Sequence, residues 1–165
     1  FKGVGRRFQV NGEIQLQGGN VLLVDDYAHH PREVIATIKA VREGWPDKRL
    51  VLAFQPHRYS RTRDLFEDFV DVLNETDVLV LLDVYAAGEQ RISGSDGPAL
   101  SQAIRQRGKL IPVFVKEIGQ LANILVEVVL PGDIVMTLGA GDIGAASAKL
   151  EAQMTALMVT EQMDQ

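Results

Sequence analysis

Apolar residues along the chain follow two alternating rhythms. Short continuous runs recur at Val21–Val24, Leu50–Phe54, Val78–Leu82, Leu110–Val115 and Ile134–Leu138. Runs of that length, rich in Val, Ile and Leu, are what strands buried on both faces of a parallel sheet require. Between them, apolar residues return every third or fourth position, the period of a helix with one buried face. Val34, Ile35, Ile38 and Val41 predict a helix from Pro31 to about Arg42. Pro31 sits at its first position, where a missing N–H costs nothing. Leu65, Phe66, Phe69, Val70 and Leu73 predict a second helix from Thr62 to about Leu73. Further helices are predicted over Ala99–Arg107, stopped by Gly108, over Gln120–Val129, and from Ile143 to about Met158, with residues 158–165 as a frayed tail.

Ahead of the first run, Arg7–Val10 and Glu13–Gln17 flank Asn11-Gly12. Asn-Gly between short strands is a strong hairpin signal, because both residues tolerate φ > 0. The pattern therefore predicts an N-terminal β-hairpin followed by alternating strands and helices. Such alternation implies right-handed crossovers, and hence an α/β fold: a Rossmann-like, mostly parallel sheet of about six strands flanked by helices. Gly88–Pro98 reads as a polar, glycine-rich loop. No linker or internal repeat divides the chain, so residues 1–165 read as one domain.

Composition narrows the chemistry. The hydrophobic fraction is 46% and the charged fraction 24%, ordinary values for a globular chain. Cysteine is absent, which removes any thiolate nucleophile or ligand. A net charge of −5 argues against a nucleic-acid partner. No apolar run approaches the ~20 residues that span a bilayer, so no membrane partner is expected. The chain opens on Phe1, in residues that already read as strand, and this suggests a piece of a longer protein.

The polar residues that follow each apolar run carry the candidate chemistry, because open parallel sheets bind ligands beyond the carboxyl ends of their strands. Asp25-Asp26-Tyr27-Ala28-His29-His30 follows the first run, and Gln55-Pro56-His57-Arg58-Tyr59-Ser60-Arg61-Thr62-Arg63 the second. Asp83-Val84-Tyr85 follows the third and Gly139-Ala140-Gly141-Asp142 the fifth. All three histidines fall in the first two of these loops. That concentration is the main sign of a site.

Each cluster has a duller reading beside the functional one. Asp25 is the sort of residue that caps a helix or makes an Asx turn. Arg58, Arg61 and Arg63 are either a solvated helix face or an anion grip. Cations near a helix start oppose the macrodipole, which favours the grip for Arg58 and Arg61 and leaves Arg63 structural. Gly139 to Gly144 spells G-x-G-x-x-G, yet no second strand follows to complete a dinucleotide site. The glycines then serve a tight turn against the sheet, or backbone contacts from Gly139 and Gly141 to a ligand. A metal held by His29, His30 and His57 with Asp25 or Asp26 lacks any familiar ligand spacing, and no metal site is expected.

Four segments together resemble the C-terminal domain of the Mur ligase family: Gly5-Arg6-Arg7-Phe8, VDDYAHHP (Val24–Pro31), FQPHRYSRTR (Phe54–Arg63) and LGAGDIG (Leu138–Gly144). Within the family the Gln-Pro-His-Arg run is most similar to the branch that adds L-alanine to UDP-N-acetylmuramic acid. The HHP element is shared with the murein tripeptide-recycling branch. The resemblance implies an ATP-dependent carboxylate–amine ligase of bacterial cytoplasm, serving peptidoglycan precursor synthesis. In that family ATP and Mg2+ are held mostly by a central ATPase domain, and the UDP group by an N-terminal domain. Those two domains of the same chain are the implied partners. No Gly-x-x-Gly-Lys-Thr loop occurs here, so this domain alone is expected to be inert. The resemblance assigns Tyr27, His29, His57, Arg58 and Arg61 to the amino-acid pocket, and Arg7 and Asp26 to the nucleotide. Which histidine faces the amine stays open, and His30 beside Pro31 is an alternative cap for the helix. Outside the family, the competing readings are a stand-alone anion- or nucleotide-binding module and a small metal-dependent hydrolase.

Overall fold

A computed structural model describes residues 6–165; Phe1 and Gly5, used above, lie outside that range. The chain begins with β1 (Gln9–Leu16) and β2 (Gly19–Asp26), then α1 (Pro31–Gly44) and β3 (Leu50–Phe54). The helical stretch that follows is divided into α2 (Tyr59–Asp64) and α3 (Phe66–Leu73). Next come β4 (Val78–Leu82), α4 (Gly97–Gln106) and β5 (Val113–Val115). A short 3-10 turn at Ile118–Gln120 leads into α5 (Leu121–Val128), followed by β6 (Ile134–Leu138) and α6 (Ile143–Met163).

The strands form one six-stranded sheet in the order β1-β2-β6-β3-β4-β5. β1 pairs antiparallel with β2, and every other pairing is parallel. The expected α/β architecture with an N-terminal hairpin is therefore present. Alternation within each buried strand sorts its side chains to two cores. Leu50, Leu52, Phe54, Leu79, Leu81, Ile134, Met136 and Leu138 join Val34, Ile38 and Val41 of α1, Phe69 and Val70 of α3, and Leu100 and Ile104 of α4. Val51, Ala53, Val80, Leu82 and Val135 face the opposite way, onto Leu121 and Leu125 of α5 and Ile143, Leu150 and Met154 of α6.

The structure corrects several element boundaries. Asn11-Gly12 is not the hairpin turn. The turn is Gln17-Gly18, between the paired Leu16 and Gly19, with Gly18 at φ +98°. The conformational freedom of Asn-Gly is used instead for a register shift between Val10 and Gly12, where Gly12 has φ +152°. A Cβ on Gly12 would collide with the Glu151 side chain of α6. The predicted helix from Thr62 starts three residues earlier, and Leu65, at φ −118° and ψ 24°, breaks it in two. No glycine or proline marks that break, so periodicity alone ran through it. The fourth predicted strand shortens to Val113–Val115. α6 continues past Met158 to Met163, although residues 159–165 are exposed and bury nothing.

Candidate functional site

Register fixes where the polar loops emerge. Asp26 of β2 and Phe54 of β3 both pair with Leu138 of β6, and Phe54 also pairs with Leu81 of β4. These parallel strands end level with one another. The loops that follow them therefore leave from one rim, and Tyr27 and Arg58 lie at the same end of the sheet.

Along that rim four rings form a row. Tyr27 meets His29 edge-on, with centroids 5.1 Å apart. The His29 ring lies 5.9 Å from that of His57. His57 stacks on Tyr85 at 5.6 Å and 14°. A bridge between the loops after β3 and β4 sets this last pair: Arg58 N–H donates to Tyr85 O at 2.8 Å, and Tyr85 N–H to Pro56 O at 2.8 Å.

Arg58 holds a backbone conformation uncommon for a residue with a side chain, φ +73°. Its carbonyl accepts from Thr62 N–H at 3.2 Å and from Thr62 Oγ1 at 2.9 Å, which starts α2. Strain of this kind persists only where surrounding contacts impose it, and it concentrates at functional sites. The Arg58 side chain is exposed and makes no ion pair among the described residues. Arg61 reaches back one turn: its Nη1 donates to His57 O at 3.1 Å and lies 3.2 Å from His57 Nδ1. Arg63, by contrast, pairs with its neighbour Asp64 at 2.9 Å. Opposite these cations, Glu89 accepts from Ser60 N–H at 3.1 Å and from the Ser60 hydroxyl, pinning the glycine-rich loop to the start of α2. Those Ser60 hydrogen bonds, aided by Arg58, keep the Glu89 carboxyl below the usual range.

His57 is held below the ordinary imidazole pKa. Burial is the larger cause, and the nearby charges of Arg61, His29 and Arg58 add to it against the smaller pull of Glu89. Both causes favour the neutral ring over the imidazolium.

Beneath the ring row lies a buried polar network that the sequence did not announce. Arg6 pairs with Asp25 through two hydrogen bonds, Nε to Oδ2 at 2.7 Å and Nη2 to Oδ1 at 2.9 Å. Its Nη1 donates to Gly139 O at 2.8 Å, and its guanidinium lies 5.6 Å from the Tyr27 ring centre. The Thr137 hydroxyl donates to Asp25 Oδ1 at 2.7 Å and lies 2.8 Å from the Ser147 hydroxyl. Asn11 Nδ2 donates to Ser147 Oγ at 2.8 Å, closing the chain of contacts. Asp25, at 2% exposure, thus neither caps a helix nor makes an Asx turn; it is the counter-ion of Arg6.

The Asx turn belongs to Asp26, whose Oδ1 accepts from Ala28 N–H at 2.8 Å while Oδ2 accepts from Phe8 N–H at 2.8 Å. Each Asp26 oxygen keeps a further lone pair. Arg7 is exposed and makes no ion pair among the described residues, and it stands outside the ring row. His30 caps α1: its Nδ1 accepts from Arg32 N–H at 3.2 Å, and its own N–H donates to Glu33 Oε1 at 3.1 Å. That leaves His29 and His57 as the histidines of the rim.

The glycine-rich turn after β6 is tight because neighbours press on it. A Cβ on Gly139 would lie 2.8 Å from Gln55 O, one on Gly141 would lie 2.6 Å from both Gln55 Oε1 and Tyr85 Cγ, and one on Gly144 would lie 2.6 Å from Arg6 Cζ. Gly139 already donates to Asp26 O at 3.4 Å and accepts from Arg6, so its backbone is engaged within the fold. Gln55 clamps the turn, with Nε2 donating to Asp142 Oδ1 at 2.6 Å and Oε1 accepting from Ile143 N–H at 3.2 Å. Sequence reasoning names Arg6, Gln55 and Tyr85 without a role, gives Asp25 the role of a cap, a turn or a metal ligand, and misses Glu89. Thr137, a polar residue inside an otherwise apolar run, is the local sign of the buried polar network. Among the described residues, no group of three or more His, Asp or Glu is placed to hold a metal ion, and no helix is long and apolar enough to cross a membrane.

Known proteins share this fold. The family described as Mur ligase, glutamate ligase domain, matches residues 6–141. A UDP-N-acetylmuramate-alanine ligase from Thermotoga maritima is 25% identical, with a TM-score of 0.73; the match covers 95% of this chain and 31% of that one. A domain from a putative UDP-N-acetylmuramate:L-alanyl-gamma-D-glutamyl-meso-diaminopimelate ligase of Haemophilus ducreyi is 20% identical, with a TM-score of 0.64, over 90% of this chain and 99% of that one. A bifunctional folylpolyglutamate synthase/dihydrofolate synthase of Yersinia pestis, complexed with AMPPNP and Mn, is 15% identical, with a TM-score of 0.57, over 94% and 32%. The chain spans 31% of the length of the Thermotoga ligase.

Proposed function

The chain belongs to the Mur ligase family, and from that premise we propose that it is the C-terminal domain of an ATP-dependent carboxylate–amine ligase that adds L-alanine to UDP-N-acetylmuramic acid. The observation that carries the reading is the row of Tyr27, His29, His57 and Tyr85 at one rim, with Arg58 and Arg61 beside it. A small zwitterion fits such a rim. Its carboxylate pairs with guanidinium groups, and its short side chain packs against ring faces. The 25% identity to an alanine-adding ligase supports this branch.

In this reading Tyr27, His29, His57, Arg58 and Arg61 hold the amino acid, and Arg7 and Asp26 face the nucleotide. Asp26 keeps lone pairs for hydroxyl donors, and Arg7 is an exposed cation suited to phosphate. ATP supplies the phosphoryl group that activates the substrate carboxylate. A Mg2+ ion would be held elsewhere in the protein, because the described residues offer no metal-ligating group. This domain's own part is to bind the amine component, orient it and exclude water once the cleft closes. The UDP-binding and ATPase domains of the same protein are its partners, and the bacterial cytoplasm its setting.

The test is amine selectivity in the full-length protein. ADP release with UDP-N-acetylmuramic acid should depend on L-alanine. Release driven instead by a tripeptide would assign the chain to the murein-recycling branch. ATP binding at micromolar affinity by this chain alone would favour a stand-alone nucleotide module.

A further inference from the structure

We propose that His29 and His57 are locked in opposite tautomers, so that the rim meets its amino acid with one imidazole acceptor and one imidazole donor. The inference deepens the reading above and rests on the rim being an amino-acid site.

The argument is one of donor and acceptor chemistry. His29 Nδ1 lies 3.0 Å from Tyr27 O. A carbonyl only accepts, so Nδ1 carries the proton, and in the tautomer with that single proton the lone pair lies on Nε2. His57 Nδ1 lies 3.2 Å from Arg61 Nη1. A guanidinium only donates, so this Nδ1 is the acceptor and the proton sits on Nε2. The same nitrogen thus plays contrary parts in two rings 5.9 Å apart.

The two locks differ in kind. That of His29 is a backbone carbonyl two residues away, with the Glu33 carboxylate 3.7 Å from the same Nδ1 as a second acceptor. That of His57 is a side chain one helical turn on, seconded by the stack on Tyr85 that fixes the ring plane. A protonated His57 would lose its bond from Arg61, and burial together with neighbouring cations already favours the neutral ring.

An amino acid presents both polarities within a few ångströms. Its nitrogen donates and its carboxylate accepts. His29 Nε2 takes a hydrogen bond from the amino nitrogen, while His57 Nε2–H joins Arg58 in donating to the carboxylate. Reversing the ligand would set donor against donor at His57 and acceptor against acceptor at His29. The pair therefore reads the direction of the ligand and not merely its charge.

Long-range 1H–15N spectra of the 15N-labelled chain at neutral pH test the locks. His29→Gln and His57→Gln each delete one ring's signals and so assign them. The expected result is His29 protonated at Nδ1 and His57 at Nε2. Arg61→Met should scramble the His57 pattern and leave that of His29 unchanged. Two rings in the same tautomer, or a His57 pattern indifferent to Arg61→Met, would overturn the inference. Separately, His29→Ala in the full-length ligase should raise the KM for the amino acid about tenfold, as expected for one lost hydrogen bond to a charged group, with the KM for ATP unchanged. Opposed tautomers with that KM unmoved would overturn the amino-acid reading of the rim instead.

Discussion

The imidazole of His57 lies flat against Tyr85, with centroids 5.6 Å apart and planes 14° from parallel. Tyr85 reaches that position from a different strand, and its backbone is tied to Pro56 and Arg58 on either side of the histidine. Replacing Tyr85 by alanine removes one wall of the site and keeps the cations. The stack contributes about 1 kcal/mol beyond its area burial. Tyr85→Ala should therefore raise the KM for the amino component about fivefold. Kinetics of the full-length ligase check this, with the KM for ATP as the internal control.

Protonation of His57 gives a second prediction. Its folded-state pKa lies below the ordinary 6.5, because of burial and then the charges of Arg61, His29 and Arg58. The unfolded chain therefore binds the proton more readily. The linked stability is present in full above pH 6.5 and is lost as pH falls below it toward the folded value. His57→Gln should flatten the pH dependence of the urea midpoint across that window. Arg61→Met, by removing a cation, should move the His57 titration upward in an NMR pH series.

The proposed amino-acid site gives a further prediction for Arg61. Arg61→Ala should raise the KM for the amino acid far more than that for ATP. Initial-rate kinetics with each substrate varied in turn decide it, and equal effects would contradict an amino-acid role.

The pair of Arg6 and Asp25 is structural in the same region. Asp25 is 2% exposed, and removal of its partner leaves a buried carboxylate whose remaining side-chain donor among the described residues is Thr137. Arg6→Ala should cost about 3 kcal/mol. Asp25→Asn should cost less, because the guanidinium left behind is partly exposed and keeps its bond to Gly139. Denaturant unfolding of the two variants provides the comparison.

Gly141 is a test of close approach. Its added Cβ would sit 2.6 Å from both Gln55 Oε1 and Tyr85 Cγ, so one of them must move. Gly141→Ala should cost about 1–3 kcal/mol, as other overpacked positions do. If Tyr85 is what yields, the ring resonances of His57 shift as the stack opens.

Much of the fold is legible in the sequence. Continuous apolar runs identify β2, β3, β4 and β6, and Pro31 with Val34, Ile38 and Val41 identifies α1. The rim is legible for the same reason, since parallel strands of equal register deliver their trailing residues to one end. What escapes is whatever depends on partners distant in sequence. Asn11-Gly12 carries the local chemistry of a turn, yet α6 packs over it and the turn falls at Gln17-Gly18. Asp25 looks like a capping residue until Arg6 arrives across the sheet edge. Tyr85 follows an ordinary strand end, and only the β3–β4 pairing brings it to His57. The break at Leu65 has no local signal at all.

The two margins of the sheet are poor templates for another strand. At one margin β5 offers three residues of ladder, too few to hold a foreign segment. At the other, the irregularity between Val10 and Gly12 kinks β1 out of a flat line. Short or kinked borders of this kind discourage edge-to-edge growth. Little of the backbone's outward hydrogen-bonding capacity is thereby presented as a long straight ladder on which intermolecular β-assembly could begin.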